Sequence, residues 1–309
     1  MAVINTWWPE KYRPKTLENY AGNEQFIEIA KEWIKRGDAP SFIAYSPQSG
    51  TGKTTICRII ANALDAEIME INGSKDNNIE TVRDKITQFA SGASFNRWKI
   101  LIINEFSYFT PNAQSALLDV IESSSASTRF FLTGNYIEKF LPAIVSRCQP
   151  YLIQSPAPKK IFENLSTILT AENVSFEPND VVRVIKAFYP DQRQMLNYLQ
   201  SNSINGQFAY QEETAQTHDY CKKVIDVLKS NSTAGDKYTQ IRQLFADAKV
   251  RQFDDLFTVL YTKLDDYAPS GKKASTIAAI ADGQYKSTMV VDKEIQAINC
   301  INNIINAIK

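Results

Sequence analysis

Short apolar runs alternate with longer amphipathic segments between about residues 40 and 150. Four runs have the length of strands and are rich in isoleucine and phenylalanine: SFIAYS, EIMEIN, KILIIN and TRFFLTGN. The segments between them have the periodicity of helices: KTTICRIIANAL, IETVRDKITQFA and PNAQSALLDVIES. Strands that alternate with helices predict an α/β fold, in which helices cover both faces of a parallel sheet.

The pattern becomes helical after Pro150. Three short helices are predicted between prolines, at Lys159–Glu172, Asn179–Phe188 and Asp191–Ser201. Beyond about residue 218, further helix-like segments alternate with polar loops such as SNSTAGDK. We therefore predict three domains: an α/β domain at 1–152, a small three-helix domain at 153–210 and an all-helical domain at 211–309.

Composition narrows the possible partners. The 34 basic and 34 acidic residues balance, so any nucleic-acid contact must come from a local basic patch or from helix N-termini. The cysteines are far apart and the chain has a single histidine, which argues against a zinc site.

No apolar run approaches the ~20 residues that span a bilayer, and the N-terminus lacks the apolar segment of a secretory signal. We expect no membrane partner and a cytoplasmic protein.

The strongest local signal is the glycine-rich segment SPQSGTGKTT, which follows an apolar run and opens a helix. Backbone N–H groups of such a loop can hold the phosphates of ATP, with Lys53 reaching the β and γ phosphates and Thr54 binding Mg²⁺. Pro47 stands where the usual pattern has its first glycine. The predicted nucleotide contacts in this loop are Ser49, Gly50, Thr51, Gly52, Lys53, Thr54 and Thr55.

A second signal is the apolar run KILIIN followed by Glu105. In the usual pattern this strand ends in Asp-Glu, where the aspartate holds Mg²⁺ through water and the glutamate polarises the attacking water. Here Asn104 occupies the aspartate position, and it keeps an acceptor oxygen while removing a negative charge. Either this subunit hydrolyses ATP slowly, or the residue is a deliberate substitution that traps a bound state.

Four further motifs accompany these two: PEKYRP at residues 9–14, LTGN at 132–135, SRC at 146–148 and PDQRQMLN at 190–197. Together they make the chain resemble the AAA+ ATPase subunits of sliding-clamp loaders. It resembles the small subunits of replication factor C and, more closely, the large subunit of tailed-bacteriophage loaders. The resemblance implies an AAA+ sheet domain, a helical lid domain and a helical collar that holds subunits in a ring. It further implies ATP and Mg²⁺ as cofactors, and a sliding clamp, primer–template DNA and other loader subunits as partners. A viral protein would work in the host cytoplasm.

The resemblance also assigns roles to single residues. Tyr12, Arg13 and Pro14 would line the adenine. Asn135 would lie near the γ-phosphate, at the end of a strand. Arg193 would reach back from the lid to the nucleotide, so that ATP fixes the angle between two domains.

Arg147 of the SRC motif would reach the γ-phosphate of a neighbouring subunit. An arginine fork neutralises the charge of the transferring phosphoryl group, and supplying it from a neighbour makes hydrolysis depend on assembly. Asn72 matches a residue that in relatives restrains the catalytic glutamate, although an ordinary Asn-Gly turn explains it equally well.

In the family that the chain resembles, helix N-termini facing the inside of a spiral grip the DNA backbone, so the resemblance implies DNA contacts from the segments 74–83 and 109–114. The candidates are Lys75, Asn78, Arg83, Thr110, Asn112 and Gln114. Ordinary solvated loop residues explain each candidate, taken alone, nearly as well. In the collar, Leu256, Val259 and Leu260 form an apolar stripe that would be buried either between subunits or inside the domain.

Two other functions remain open from the sequence. Asn104 supports a subunit of the same assembly that binds nucleotide without productive hydrolysis. A AAA+ motor of the branch-migration type is the second alternative, and the SRC motif and the collar argue against it.

Overall fold

The apolar runs lie side by side as parallel strands in a computed structural model of the chain. The structure describes residues 6–74, 79–92, 94, 96–211, 220–248 and 253–308, and of residues 79–83, 248 and 254–255 it describes the backbone alone. The chain divides into two compact units, Met1–Tyr210 and Gln211–Lys309. The first unit holds a five-stranded sheet in the order β2-β3-β4-β1-β5. Its strands are β1 (Phe42–Tyr45), β2 (Glu67–Asn72), β3 (Lys99–Asn104), β4 (Thr128–Gly134) and β5 (Gln149–Leu152).

Helices flank this sheet on both faces. They are α2 (Glu24–Arg36), α3 (Lys53–Ala63), α4 (Ile79–Ser91), α5 (Pro111–Ser123) and α6 (Pro142–Val145), and the short helix α1 (Trp8–Lys11) precedes them in the chain. Side chains of successive residues in a strand point to opposite faces, so β3 contributes to two cores. Ile100 and Ile102 pack with α2 and α3, whereas Leu101 and Ile103 pack with α4 and α5. The predicted α/β fold is confirmed.

Three helices and a hairpin complete the first unit. The helices are α7 (Pro158–Ala171), α8 (Pro178–Phe188) and α9 (Gln192–Ser201), and the hairpin strands are β6 (Ser203–Ile204) and β7 (Gln207–Phe208). Pro158 and Pro178 are the first residues of their helices, where a missing N–H costs no hydrogen bond. α7 to α9 match the three helices predicted from the sequence to within one or two residues. The three-domain division itself stays a prediction.

The second unit is helical. Its helices are α10 (Tyr220–Lys229), α11 (Ala234–Ala248), α12 (Asp254–Thr262), α13 (Leu264–Tyr267), α14 (Lys273–Ser287) and α15 (Lys293–Ile308). Leu256 and Leu260 are fully buried and Val259 packs against the same core. The apolar stripe is therefore core within the unit, and the alternative of burial between subunits is wrong for the two leucines. No helix in the described ranges is long and apolar enough to cross a membrane.

Candidate nucleotide site

The glycine-rich loop connects β1 to α3 at the carboxyl edge of the sheet. Gly50 and Gly52 have φ of 67° and 95°, in the left-handed region that favours glycine. A Cβ at Gly52 would lie 2.8 Å from the hydroxyl of Tyr20, which is buried behind the loop. Lys53 is the first residue of α3, so the loop ends at a helix N-terminus with free N–H groups, as anion binding requires.

A cleft of about 590 Å³ lies over this loop, a volume typical of small-ligand sites. Its lining brings together parts of the chain that are far apart in sequence: the PEKYRP segment at residues 9–14 (the N-terminal box), the loop, the ends of β3 and β4, and helices α7 and α9 of the predicted lid. The predicted site residues that line it are Tyr12, Arg13, Pro14, Ser49, Gly50, Thr51, Gly52, Lys53, Thr54, Thr55, Glu105, Asn135 and Arg193.

Lys53 is held inside the loop. Its ammonium group donates to the carbonyl oxygens of Gln48 at 2.8 Å and Ser46 at 3.4 Å. Burial, with a smaller contribution from the positive charge of Arg193, lowers the pKa of Lys53 to about 8. A cation that is buried near a second cation favours an anionic ligand, which would restore the pKa.

Asn104 lies beside Thr54 at the end of β3 and is buried. Its Oδ1 accepts hydrogen bonds from the hydroxyls of Thr54 at 2.7 Å and Thr133 at 3.4 Å. Its Nδ2 donates to Oε1 of Glu70 at 2.5 Å. Glu70 in turn accepts two hydrogen bonds from Arg58, at 2.8 and 2.7 Å. Three residues of this network were not indicated by the sequence: Glu70, Arg58 and Thr133.

Glu105 and Asn135 directly follow the adjacent strands β3 and β4. Glu105 has φ of 55°, and its backbone N–H donates to the hydroxyl of Thr133 at 3.2 Å. The residue is exposed and lines the cleft. Asn135 follows β4 and lines the same cleft. Asn72 accepts from the backbone N–H and hydroxyl of Ser74, at 2.9 and 2.8 Å, as in an Asx turn. This geometry favours the turn over a restraint on Glu105.

The lid contacts the loop through the start of α9. Asp191 caps this helix by accepting from the N–H groups of Arg193 and Gln194, and its other oxygen accepts from the hydroxyl of Ser49 at 2.6 Å. A Cβ at Gly50 would overlap this carboxylate. Asp191 is a further site residue that the sequence did not indicate, although an aspartate before a helix is a common capping signal.

The N-terminal box lines the cleft and forms hydrogen bonds with the end of α7. Glu172, at the end of α7, accepts hydrogen bonds from the hydroxyl of Tyr12 and the ammonium group of Lys11, both at 2.6 Å. Arg13 forms an ion pair with Glu10 three residues earlier. These contacts hold the box at one end of the cleft, where the resemblance places the base.

Arg147 lies elsewhere. It follows α6 and forms an ion pair with Glu122 of α5, and it also donates to the carbonyl oxygen of Ala143 at 2.9 Å. It lines a different surface cavity from the one over the loop. The pair with Glu122 is exposed on both sides, and such pairs contribute only about 0–1 kcal/mol, so Arg147 can exchange its partner at little cost.

The predicted DNA contacts have different outcomes. Lys75 and Asn78, and the side chain of Arg83, lie outside the described residues. Thr110 caps α5 by accepting from the N–H of Ala113, and Asn112 is exposed in the first turn.

The prediction for Gln114 is wrong. Its side chain is buried, and its amide bonds the backbone of Phe109, Lys139 and Leu141. A direct contact between Gln114 and DNA is therefore excluded in this structure, because the side chain is not exposed to solvent.

Sequence comparisons place these features among known proteins. Residues 39–157 match the family described as DNA polymerase III, delta subunit. Replication factor C subunit 5 of Mus musculus is 30% identical over 96% of this chain and 91% of its own length. Replication factor C subunit 3 of Saccharomyces cerevisiae is 35% identical over 64% of this chain. The chain spans about three fifths of the length of that protein, since the match covers 60% of it.

Solved structures agree on the fold. The RuvB Holliday junction branch migration motor of Thermotoga maritima has a TM-score of 0.54 and 17% identity, and covers 93% of this chain and 91% of its own. At that identity the likeness shows a shared fold alone.

Proposed function

Because the chain belongs to the family of replication factor C subunits, we propose that it is an ATP-hydrolysing subunit of a sliding-clamp loader that places a ring clamp on primer–template DNA during replication. The observation that carries this proposal is the cleft over the glycine-rich loop, where the N-terminal box, both strand ends and the lid meet. A nucleotide in this cleft contacts every part whose relative position a switch must control. A closer likeness to bacteriophage loaders stays a prediction.

The residues present fit ATP and Mg²⁺. The hydroxyl of Thr51 is buried in the loop and has no hydrogen-bond partner within the described part of the chain, as expected of a group that awaits a ligand. Lys53 supplies the cation for the phosphates. Oxygen atoms of Thr54 and Asn104 are hard ligands of the kind that Mg²⁺ prefers, directly or through water. The metal ion, when bound, would neutralise the phosphate charge.

Glu105 is the proposed base that orients water, and Asn135 the proposed polar contact of the γ-phosphate. Asn104 lowers the negative charge beside the metal, so we infer a hydrolysis rate below that of a subunit with aspartate at this position. This property favours, as the second candidate, a subunit that binds ATP without productive turnover.

Arg147 is proposed to act in the site of an adjacent subunit. Its position in a cavity separate from its own nucleotide cleft supports this role, and its exposed pair with Glu122 allows release to a phosphate. Thr110 and Asn112, at the N-terminus of α5, remain the described candidates for phosphate contacts with DNA. The proposed partners are therefore other loader subunits, a sliding clamp and primer–template DNA.

The test is phosphate release by the assembled loader, measured with and without clamp and primer–template DNA. Lys53→Ala is expected to abolish ATP binding. Arg147→Ala should leave binding intact and remove the stimulated turnover, whereas Arg183→Ala, which removes an equal charge from an exposed site on α8, should change neither.

Each alternative has its own result in this test. ATP binding without stimulated turnover in the unmodified loader would support the non-hydrolysing subunit. ATP-driven strand displacement without clamp dependence would support a branch-migration motor. Normal stimulated turnover by Arg147→Ala would remove the role in a neighbouring site.

A further inference from the structure

The side chain of Asn104 is the centre of a hydrogen-bonded chain that runs from the nucleotide loop to the surface. At one end Thr54 donates to its Oδ1 at 2.7 Å, and at the other its Nδ2 donates to Glu70 at 2.5 Å. Glu70 lies on β2, two residues before the position that pairs with Asn104 in the sheet. The side chains of the two residues are diagonal neighbours on one face.

A side-chain amide has two different ends, and its neighbours decide which way it faces. Glu70 is a carboxylate, which only accepts hydrogen bonds, so it selects the NH₂ end of Asn104. The oxygen of the amide must then face the hydroxyl of Thr54. With the amide reversed, two oxygens would meet at Glu70 and the hydroxyl of Thr54 would face an N–H donor.

Glu70 is itself fixed in place. Arg58 donates two hydrogen bonds to its carboxylate, at 2.8 and 2.7 Å, in the bidentate geometry that restricts orientation most. Arg58 lies one turn after Thr54 on α3, so the same helix carries both ends of the chain. The network therefore links the amide orientation to the helix that follows the nucleotide loop.

The orientation matters for a cation. When the hydroxyl of Thr54 donates its hydrogen to Asn104, the oxygen lone pairs of Thr54 remain available to a metal ion. A reversed amide would direct an N–H at those lone pairs and compete with the metal. We propose that Glu70 is a positioning residue for the Mg²⁺ site: it holds the amide of Asn104 with its oxygen toward Thr54. This inference rests on the proposed binding of ATP and Mg²⁺.

The identity of the residue at position 104 determines the sign of the effect. An aspartate has two equivalent oxygens and needs no neighbour to orient it. It would also place a second acceptor-only group against Glu70, which the charge of Arg58 only partly offsets. Glu70 should thus support Mg²⁺ binding in the natural chain and be neutral or unfavourable in the Asn104→Asp background.

The experiment measures the affinity of a fluorescent ATP analogue with Mg²⁺ and with EDTA. The ratio of the two affinities is the Mg²⁺ enhancement. Four proteins form a cycle: the natural chain, Glu70→Ala, Asn104→Asp and the double variant. Glu67→Ala is the matched control, since it removes an exposed carboxylate from the same strand.

Glu70→Ala is expected to lower the Mg²⁺ enhancement about tenfold, the lower end of the effect of removing a residue that orients a metal ligand. Affinity in EDTA should stay within about twofold of the natural chain, because the loop and Lys53 are unchanged. In the Asn104→Asp background the same substitution should leave the enhancement unchanged or raise it. Glu70→Gln, which keeps an acceptor oxygen, should retain most of the enhancement.

An equal loss from Glu70→Ala in both backgrounds would overturn the inference, because a general structural effect does not depend on the residue at 104. So would an unchanged enhancement in the single variant. If Glu70→Ala fails to fold by circular dichroism, Glu70→Met keeps the side-chain length and serves the same comparison. A natural chain that binds no nucleotide at all would instead refute the proposed function.

Discussion

Raising the pH should weaken ATP binding, because the cation that holds the phosphates loses its charge at an unusually low pH. The pKa of Lys53 is lowered to about 8 by burial and by the charge of Arg193. The charged fraction of Lys53 then falls from roughly nine tenths at about pH 7 to roughly one tenth at about pH 9. Since ATP binding requires the charged form, the affinity should fall about tenfold over this interval.

The assay is a titration with a fluorescent ATP analogue at intervals of pH, in EDTA so that metal hydroxide does not interfere. The ionisation of ATP itself adds negative charge as the pH rises, so it cannot cause the loss. Arg193→Gln provides the control: without the nearby positive charge the pKa of Lys53 should rise, and the midpoint should move to higher pH. An affinity that stays constant to about pH 9, with the protein folded by circular dichroism, would refute the reasoning.

Two further predictions concern packing. Gly50→Ala should lower ATP affinity at least about tenfold, because the left-handed backbone penalises a Cβ and this Cβ would overlap Asp191. Gly235→Ala is the control and should bind ATP normally in the same titration, since no heavy atom lies closer than 4.0 Å to its added Cβ. Phe245→Ala should reduce the free energy of unfolding of the second unit by about 3–5 kcal/mol in urea, since the ring is fully buried in its core. An unfolding free energy within about 1 kcal/mol of the natural chain would show that the ring does not pack as described.

Buried strands were predictable from sequence because they are continuous apolar runs. β3 is buried along its whole length. Its short run KILIIN, rich in β-branched residues and lying between helical segments, is typical of a buried strand. β5 was missed because it lies at the sheet edge, is largely exposed and contains Pro150, all of which weaken the pattern. The β6–β7 hairpin was also missed, although Asn205-Gly206, with φ of 54° and 76°, is a strong hairpin signal.

The site residues likewise fall into two groups, those that the sequence predicts and those that it does not. Residues inside one motif, such as Lys53 and Thr54, were predictable because adjacent positions fix the loop geometry. The partners across elements were not: Glu70 and Asn104 are 34 residues apart, and Ser49 and Asp191 are 142 apart. Spacing along the chain carries no information about such pairs without the register of the sheet or the docking of the lid.

Gln114 shows an error that the sequence could have prevented. In α5 the buried positions include Gln114, Leu117 and Ile121, which are spaced three and four residues apart and share one face of the helix. The resemblance and the position near a helix N-terminus predicted a contact with DNA, but the periodicity places the side chain on the buried face of the helix. A polar residue on such a face is buried with its hydrogen bonds satisfied by the backbone, as found here.

The lid brings charges of both signs to the loop, and this determines how a nucleotide can act on it. Asp191 accepts from Ser49, which holds the start of α9 against the loop. Burial, and to a smaller extent the positive charge of Arg193 two residues later, lowers the pKa of Lys53, so the two cations repel each other. The phosphates of ATP would turn this repulsion into attraction from both sides. We therefore expect bound nucleotide to favour the docked position of α9, by the difference in interaction energy between the docked and undocked states.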